Sequence, residues 1–178
     1  MAGHNKWTQI KRQKGATDAK KSKIFSKLSR NISMEAKLSH GADSPALKAA
    51  IEKARKMNMP KDVIERAIKK GGEPSADMEN IMYEAYGPGG VGILVETLTD
   101  NRNRTAQEIK HIFTKNEFSL GGIGSVVWGF EKESTGEGMI WKPTITIPLS
   151  EEDLALLEKL VDDLEECDDV QEVFTNAE

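Results

Sequence analysis

Placed at 100° per residue, Ile24, Phe25, Leu28, Ile32 and Ala36 fall on one stripe, and Lys20, Lys23, Lys27, Arg30 and Lys37 fall nearly opposite. The spacing predicts an amphipathic helix over residues 17–40, one face packed and the other free to meet phosphate, with Gly41 ending it in a left-handed position. A second helix follows, capped by Asp43 or Ser44, with Pro45 just inside its start and a buried side marked by Leu47, Ala50, Ile51, Ala54 and Met57. Met59-Pro60 opens a third. Its apolar set is Val63, Ile64, Ala67 and Ile68, Lys69 and Lys70 suit the negative end of the helix dipole, and Gly71 is the stop.

Residues 1–16 show no period, carry two glycines and read as an arm, so the first part of the chain is an arm followed by a three-helix domain over 17–71. Residues 72–79 have linker composition. Strand patterns begin thereafter: 81–86, a Gly87-Pro88-Gly89-Gly90 turn, and 91–99, forming a hairpin. Asp100 or Asn101 opens a helix to about Lys115 with Ile109, Ile112 and Phe113 apolar, and strands are expected at 124–130 and 144–149. Ser150 caps a further helix, with Asp153 in the capping-box position and Leu154, Leu157, Leu160, Val161 and Leu164 as its core stripe; a strand at 170–175 closes the order β-β-α-β-β-α-β. The expected fold class is α+β: three N-terminal helices, then an α+β domain over 80–178 with helices on one face of a mainly antiparallel sheet.

Charge changes this picture more than composition does. The 178 residues carry a formal net charge of −4, yet residues 1–70 hold 18 Lys/Arg and 6 Asp/Glu, net +12, and the remaining 108 hold 7 and 23, net −16. Such separation points to two domains with different partners, the first suited to a polyanion. With 30% charged and 38% hydrophobic residues, the chain reads as a globular protein, able to fold without a disulfide or metal staple. No run approaches the ~20 apolar residues of a membrane span and the N-terminus lacks a signal-peptide core, so a cytoplasmic protein with no membrane partner is expected, a monomer being favoured. Cys167 lies among carboxylates that raise a thiol pKa and is expected to be inert.

Signatures of catalysis are missing: there is no nucleophile elbow, P-loop, H-E-x-x-H or zinc-finger spacing, and His4, His40 and His111 are scattered. The acidic residues between Glu151 and Asp169 sit on one surface helix and its end, as a solvated face does. Neither catalytic residues, nor a metal site, nor a cofactor is expected. Gly87–Gly90 lies between strands and lacks the helix N-terminus that makes glycine loops hold phosphate. Gly121-Gly122-Ile123-Gly124 reads as a flexible loop whose backbone a phosphate or a partner can approach.

Nucleic acid is therefore the expected partner, and the candidate contacts follow the positive charge. In the arm, Lys6, Lys11, Arg12 and Lys14 surround Trp7, which either stacks on a base or plugs the arm onto the helical domain. In the first helix the candidates are Lys20, Lys21, Lys23, Lys27 and Arg30. In the acidic part, Arg102 and Arg104 stand within Asp100-Asn101-Arg102-Asn103-Arg104-Thr105 at a strand-to-helix junction; capping explains the Asp and Asn, and the arginines either pair with the acidic domain or fork onto phosphate. Such contacts read backbone rather than sequence. The third helix offers few base-reading side chains beyond Arg66, so it is a poor recognition helix.

The strings MAGHNKW, DAKKSKIFSKL, MNMPKDVIERAIKKG, YEAYGPGGVGILVETLTDNRNRTA, GSVVWGF and DDVQEVFTNAE run in order along almost the whole chain and resemble the YebC/PmpR family, whose mitochondrial members include the translational activator of cytochrome c oxidase. The resemblance implies a helical N-terminal domain followed by α+β domains, no known catalysis, and a role as a DNA-binding transcriptional regulator. It also implies, as the alternative, a translation factor acting on RNA or the ribosome. Typical members are longer, with an extra α+β domain where this chain has only the short connection 131–143. An enzyme using a cleft beside Arg102 and Arg104 is the weakest reading.

Overall fold

A computed structural model of the chain describes residues 18–40, 43–73, 77–135 and 138–178. Its elements are α1 (Asp18–Leu38), α2 (Pro45–Lys56), α3 (Lys61–Gly71), β1 (Glu79–Tyr86), β2 (Gly92–Thr99), α4 (Arg102–Lys115), β3 (Phe130–Thr135), β4 (Gly138–Pro143), α5 (Glu151–Glu165) and β5 (Val170–Thr175). The class is α+β, three helices and then strands mixed with helices, in the expected order. The residues divide into two compact units, one containing 16–78 with 133–140, the other 79–132 with 141–178.

In the helical unit the apolar stripe does what its spacing demands. Leu28, Ile32 and Ala36 of α1 are buried against Leu47, Ala50 and Ala54 of α2 and Ile64 and Ala67 of α3, with Ile24 and Phe25 partly buried at the edge. Ser33 Oγ donates to the Ala67 carbonyl at 2.8 Å, tying α1 to α3. Ser44 is the N-cap of α2, its side chain accepting from Leu47 N–H at 3.1 Å. Two details differ from expectation. Met57 is exposed and Met59 takes the buried place, because Asn58 turns the chain in the left-handed region at φ 59°. After α1 the left-handed residue is His40, at φ 50°; Gly41 lies outside the described residues.

In the other unit β1, β2 and β5 form an antiparallel sheet in the order β1-β2-β5. One face carries Ile93 and Val95 of β2, Ala85 of β1 and Val173 of β5 into a core closed by Ile109 and Phe113 of α4 and by Leu157, Leu160 and Leu164 of α5. The opposite face carries Leu94, which packs with Val126 and Phe130. The sheet is therefore covered by helices on one side and by the approach to β3 on the other.

Two expected strands are displaced. Residues 124–130 form a loop and a short 3₁₀ turn, Val127–Gly129, with β3 starting only at Phe130. The reason is Glu84: its carboxylate takes the backbone N–H of Gly124, Val126 and Val127, which are then unavailable to a ladder. Residues 144–149 make only one parallel bridge, Ile147 with Ala177, beside Pro148, which has no N–H to donate. The strands instead lie in the stretch read as a connection, where β3 and β4 form a two-stranded sheet of their own.

Candidate nucleic-acid interface

The α1 helix sets its basic side chains by the same geometry that buries its apolar stripe. Lys21 is exposed, and Lys23, Lys27 and Arg30 are partly buried. Lys37, in the last turn, pairs with the exposed Asp77 at 2.8 Å and lowers that carboxyl below its ordinary range. The arm candidates Lys6, Trp7, Lys11, Arg12 and Lys14 lie outside the described residues, as does the side chain of Lys20.

The Arg102 and Arg104 corner is built around internal partners. Asn101 caps α4, its Oδ1 accepting from Arg104 N–H at 3.1 Å. Arg104 Nη2 donates to Asp169 at 2.8 Å and to Asp100 at 3.0 Å. The hydrogen bond and charge of Asp169, then those of Asp100, raise the guanidinium pKa further above its already high value. Asp169 itself is buried and also accepts from Thr105 Oγ1 at 2.7 Å, and that hydroxyl lies 2.7 Å from Thr99 Oγ1. Arg102 reaches Glu79 at 3.2 Å on the surface. Both arginines thus have carboxylate partners in the acidic domain, Arg102 remaining largely exposed, and Arg104 clamps the start of α4 to the turn before β5.

A feature the sequence reading passed over is Glu84 itself. It is 7% exposed, on β1, facing Leu94 across the ladder. Oε1 accepts from Gly124 at 2.6 Å, and Oε2 from Val126 at 2.7 Å and Val127 at 2.8 Å; the Glu84 carbonyl takes Gly121 N–H at 2.7 Å. The glycine-bearing loop judged open to a phosphate is therefore anchored by an anion already seated in its amides. An acidic residue inside an otherwise apolar strand was the available signal.

Cys167 is half-buried, with Sγ 3.5 Å from Glu108 Oε2; burial most of all pushes the thiol up, the Asp169 amide pulls it back, and the Glu108 carboxylate adds to the rise. Among the described residues no three His, Cys, Asp or Glu side chains gather as a metal site, and no helix is long and apolar enough to cross a membrane.

Residues 5–73 match the family profile of the TACO1/YebC protein N-terminal domain, and 78–137 and 133–177 match that of the TACO1/YebC second and third domain. The chain belongs to the TACO1/YebC family. A Trichlorobacter lovleyi member named probable transcriptional regulatory protein is 49% identical over 179 residues, covering 98% of this chain and 70% of the relative. A Fervidobacterium nodosum member of the same name is 40% identical over 235 aligned positions, covering 99% of this chain and 93% of the relative. A crystal structure of a conserved hypothetical protein from Aquifex aeolicus superposes with a TM-score of 0.83 at 35% identity, covering 97% of this chain and 96% of that one. Since 235 positions exceed the 178 residues here, the TACO1/YebC relative carries additional residues inside the match. The two matched stretches of the second profile meet at 133–137, around the β3–β4 turn, so this chain is a short form of the family.

Proposed function

We propose that the protein is a non-enzymatic, cytoplasmic regulator of gene expression that holds nucleic acid on its basic N-terminal segment, acting on DNA as a transcriptional regulator. The observation that carries the reading is the charge separation, net +12 over residues 1–70 against −16 beyond, with α1 turning one face to its core and ranging its cations along the rest. The name shared by the relatives supports the regulatory role. Contacts of this kind grip phosphates and are tolerant of sequence.

A second reading, a translation factor on RNA or the ribosome, is favoured by one specific observation. Arg66, the one base-reading candidate in α3, pairs with Asp62 of its own helix at 2.7 Å. The helical unit then has little means of choosing a base sequence, and shape recognition of structured RNA needs none. Crosslinking in cells followed by sequencing of bound DNA, alongside sedimentation of lysate at moderate salt, separates the two. Enrichment at promoters supports the first reading, migration with ribosomes the second, and the absence of both removes the proposal.

A further inference from the structure

Tyr86, at the end of β1, and Trp128, in the turn before β3, are 47% and 65% exposed. Their polar tips share one anchor. Tyr86 Oη donates to the Ser125 carbonyl at 2.6 Å, and Trp128 Nε1 donates to the same oxygen at 2.8 Å. With those atoms committed, both rings are held in place and offer a ligand their faces and edges. Both line a small hollow together with Ile145, Ile147 and Val126, and no charged residue lines it. Gly92 is part of the same wall; a Cβ there would stand 2.6 Å from Val126 Cγ1, so the close approach requires glycine.

Asn176 also lines the hollow and is only 7% exposed. Its Oδ1 accepts the Gly92 N–H at 2.7 Å, which fixes which way the amide points. Nδ2 remains as a donor with no partner among the described residues. The donor that is left belongs to a hollow walled by two fixed aromatic rings.

We propose that this hollow is a site for an unpaired nucleobase, stacked on Trp128 and Tyr86 and presenting an acceptor atom to Asn176 Nδ2; the proposal rests on the nucleic-acid reading above. Every base has a flat face and acceptor atoms on its edges, and aromatic side chains bind single strands through stacking. Phosphate has no cation to meet in this lining. An aliphatic side chain from a protein partner would pack on the rings but leave the Asn176 amide unpaired.

The test titrates the full chain with a short mixed-sequence RNA single strand, an abasic strand of equal length, a duplex of the same sequence, free adenosine and N-acetyl-leucine amide. Trp128→Ala, at an exposed position, is expected to weaken the single strand by about 5- to 150-fold, the equivalent of one stacked base, and to leave abasic strand and duplex unchanged. Trp128→Phe keeps most of the affinity. Adenosine quenching the emission of the parent but not of Trp128→Ala assigns the site to free nucleosides as well; loss of strand binding without such quenching assigns it to bases within a strand. Equal affinity of parent and Trp128→Ala for the single strand overturns the proposal, as does an equal loss on the abasic strand. Quenching of Trp128 by N-acetyl-leucine amide with adenosine inert gives the hollow to a protein partner and also overturns it. A parent chain that binds none of the three nucleic acids removes the functional reading instead, and the adenosine arm then decides the hollow alone.

Discussion

Replacing Glu84 by glutamine takes away one of the two acceptor oxygens from which the 121–127 loop hangs. Glutamine can still accept from Val126 and Val127 with its one oxygen, but its NH₂ then faces the Gly124 N–H, donor against donor, where the carboxylate oxygen stood 2.6 Å away. Hydrogen bonds to an ionised group contribute about 1.5–3 kcal/mol each, so losing one and removing the charge from two others costs about 2–4 kcal/mol. In a chain of this size that lowers the thermal midpoint by about 5–15 °C. The pH dependence separates this cause from a packing defect. Burial works to raise the Glu84 carboxyl, and the three amides together outweigh it, leaving the pKa below the ordinary 4.5. A carboxyl depressed by folding contributes stability that is present above its unfolded pKa and is lost as pH falls through the folded value. Urea unfolding of the parent and Glu84→Gln, followed by tryptophan emission, is therefore expected to show the full deficit at pH 7 and a shrinking one below about pH 4. Equal midpoints at pH 7, or a deficit that grows in acid, would refute the reasoning.

Other substitutions probe the remaining devices of the fold. Asp169→Ala deprives Arg104 and Thr105 of their shared acceptor and is expected to cost about 2–3 kcal/mol, read from the urea midpoint. Gly71→Ala places a Cβ 2.3 Å from the Ser33 carbonyl oxygen, forcing α1 and α3 apart; a loss of about 1–3 kcal/mol is expected, read from helical circular dichroism on heating. Leu157→Ala opens a void in a fully buried position between α5 and the sheet and is expected to cost about 2–5 kcal/mol by the same melt.

Helices were legible in this sequence because their signals are redundant. In α1 and α5 a five-residue apolar stripe, and in α5 a Ser150 cap as well, say the same thing, and the structure places them at Asp18–Leu38 and Glu151–Glu165. The β1–β2 hairpin and β5 were equally plain, from β-branched and aromatic runs bounded by turns. Strands at 124–130 and 144–149 misled because local β pattern does not reveal a competitor for the backbone. The Val126–Val127 pair looks like a strand until Glu84, some forty residues earlier, is seen to collect its amides. Likewise a polar stretch such as Glu131–Thr135 carries no apolar alternation, although it pairs as β3. Apart from Trp7, the candidate contacts were read from charge, and charge does not say which cations already have partners. That Arg104 is engaged is seen only once Asp169, 65 positions later in the chain, is found at its guanidinium.

The central claim is that the basic segment holds nucleic acid by neutralising phosphates, and the dependence of affinity on salt measures that directly. Titrating the full chain with a labelled duplex between 50 and 200 mM salt should show a fall of roughly 10³- to 10⁵-fold if six to ten phosphates are engaged. Replacing Lys21, Lys23, Lys27 and Arg30 by glutamine should flatten the slope by about three to four ions and weaken unrelated sequences alike. An affinity nearly independent of salt, or a slope the four substitutions leave untouched, would contradict the account.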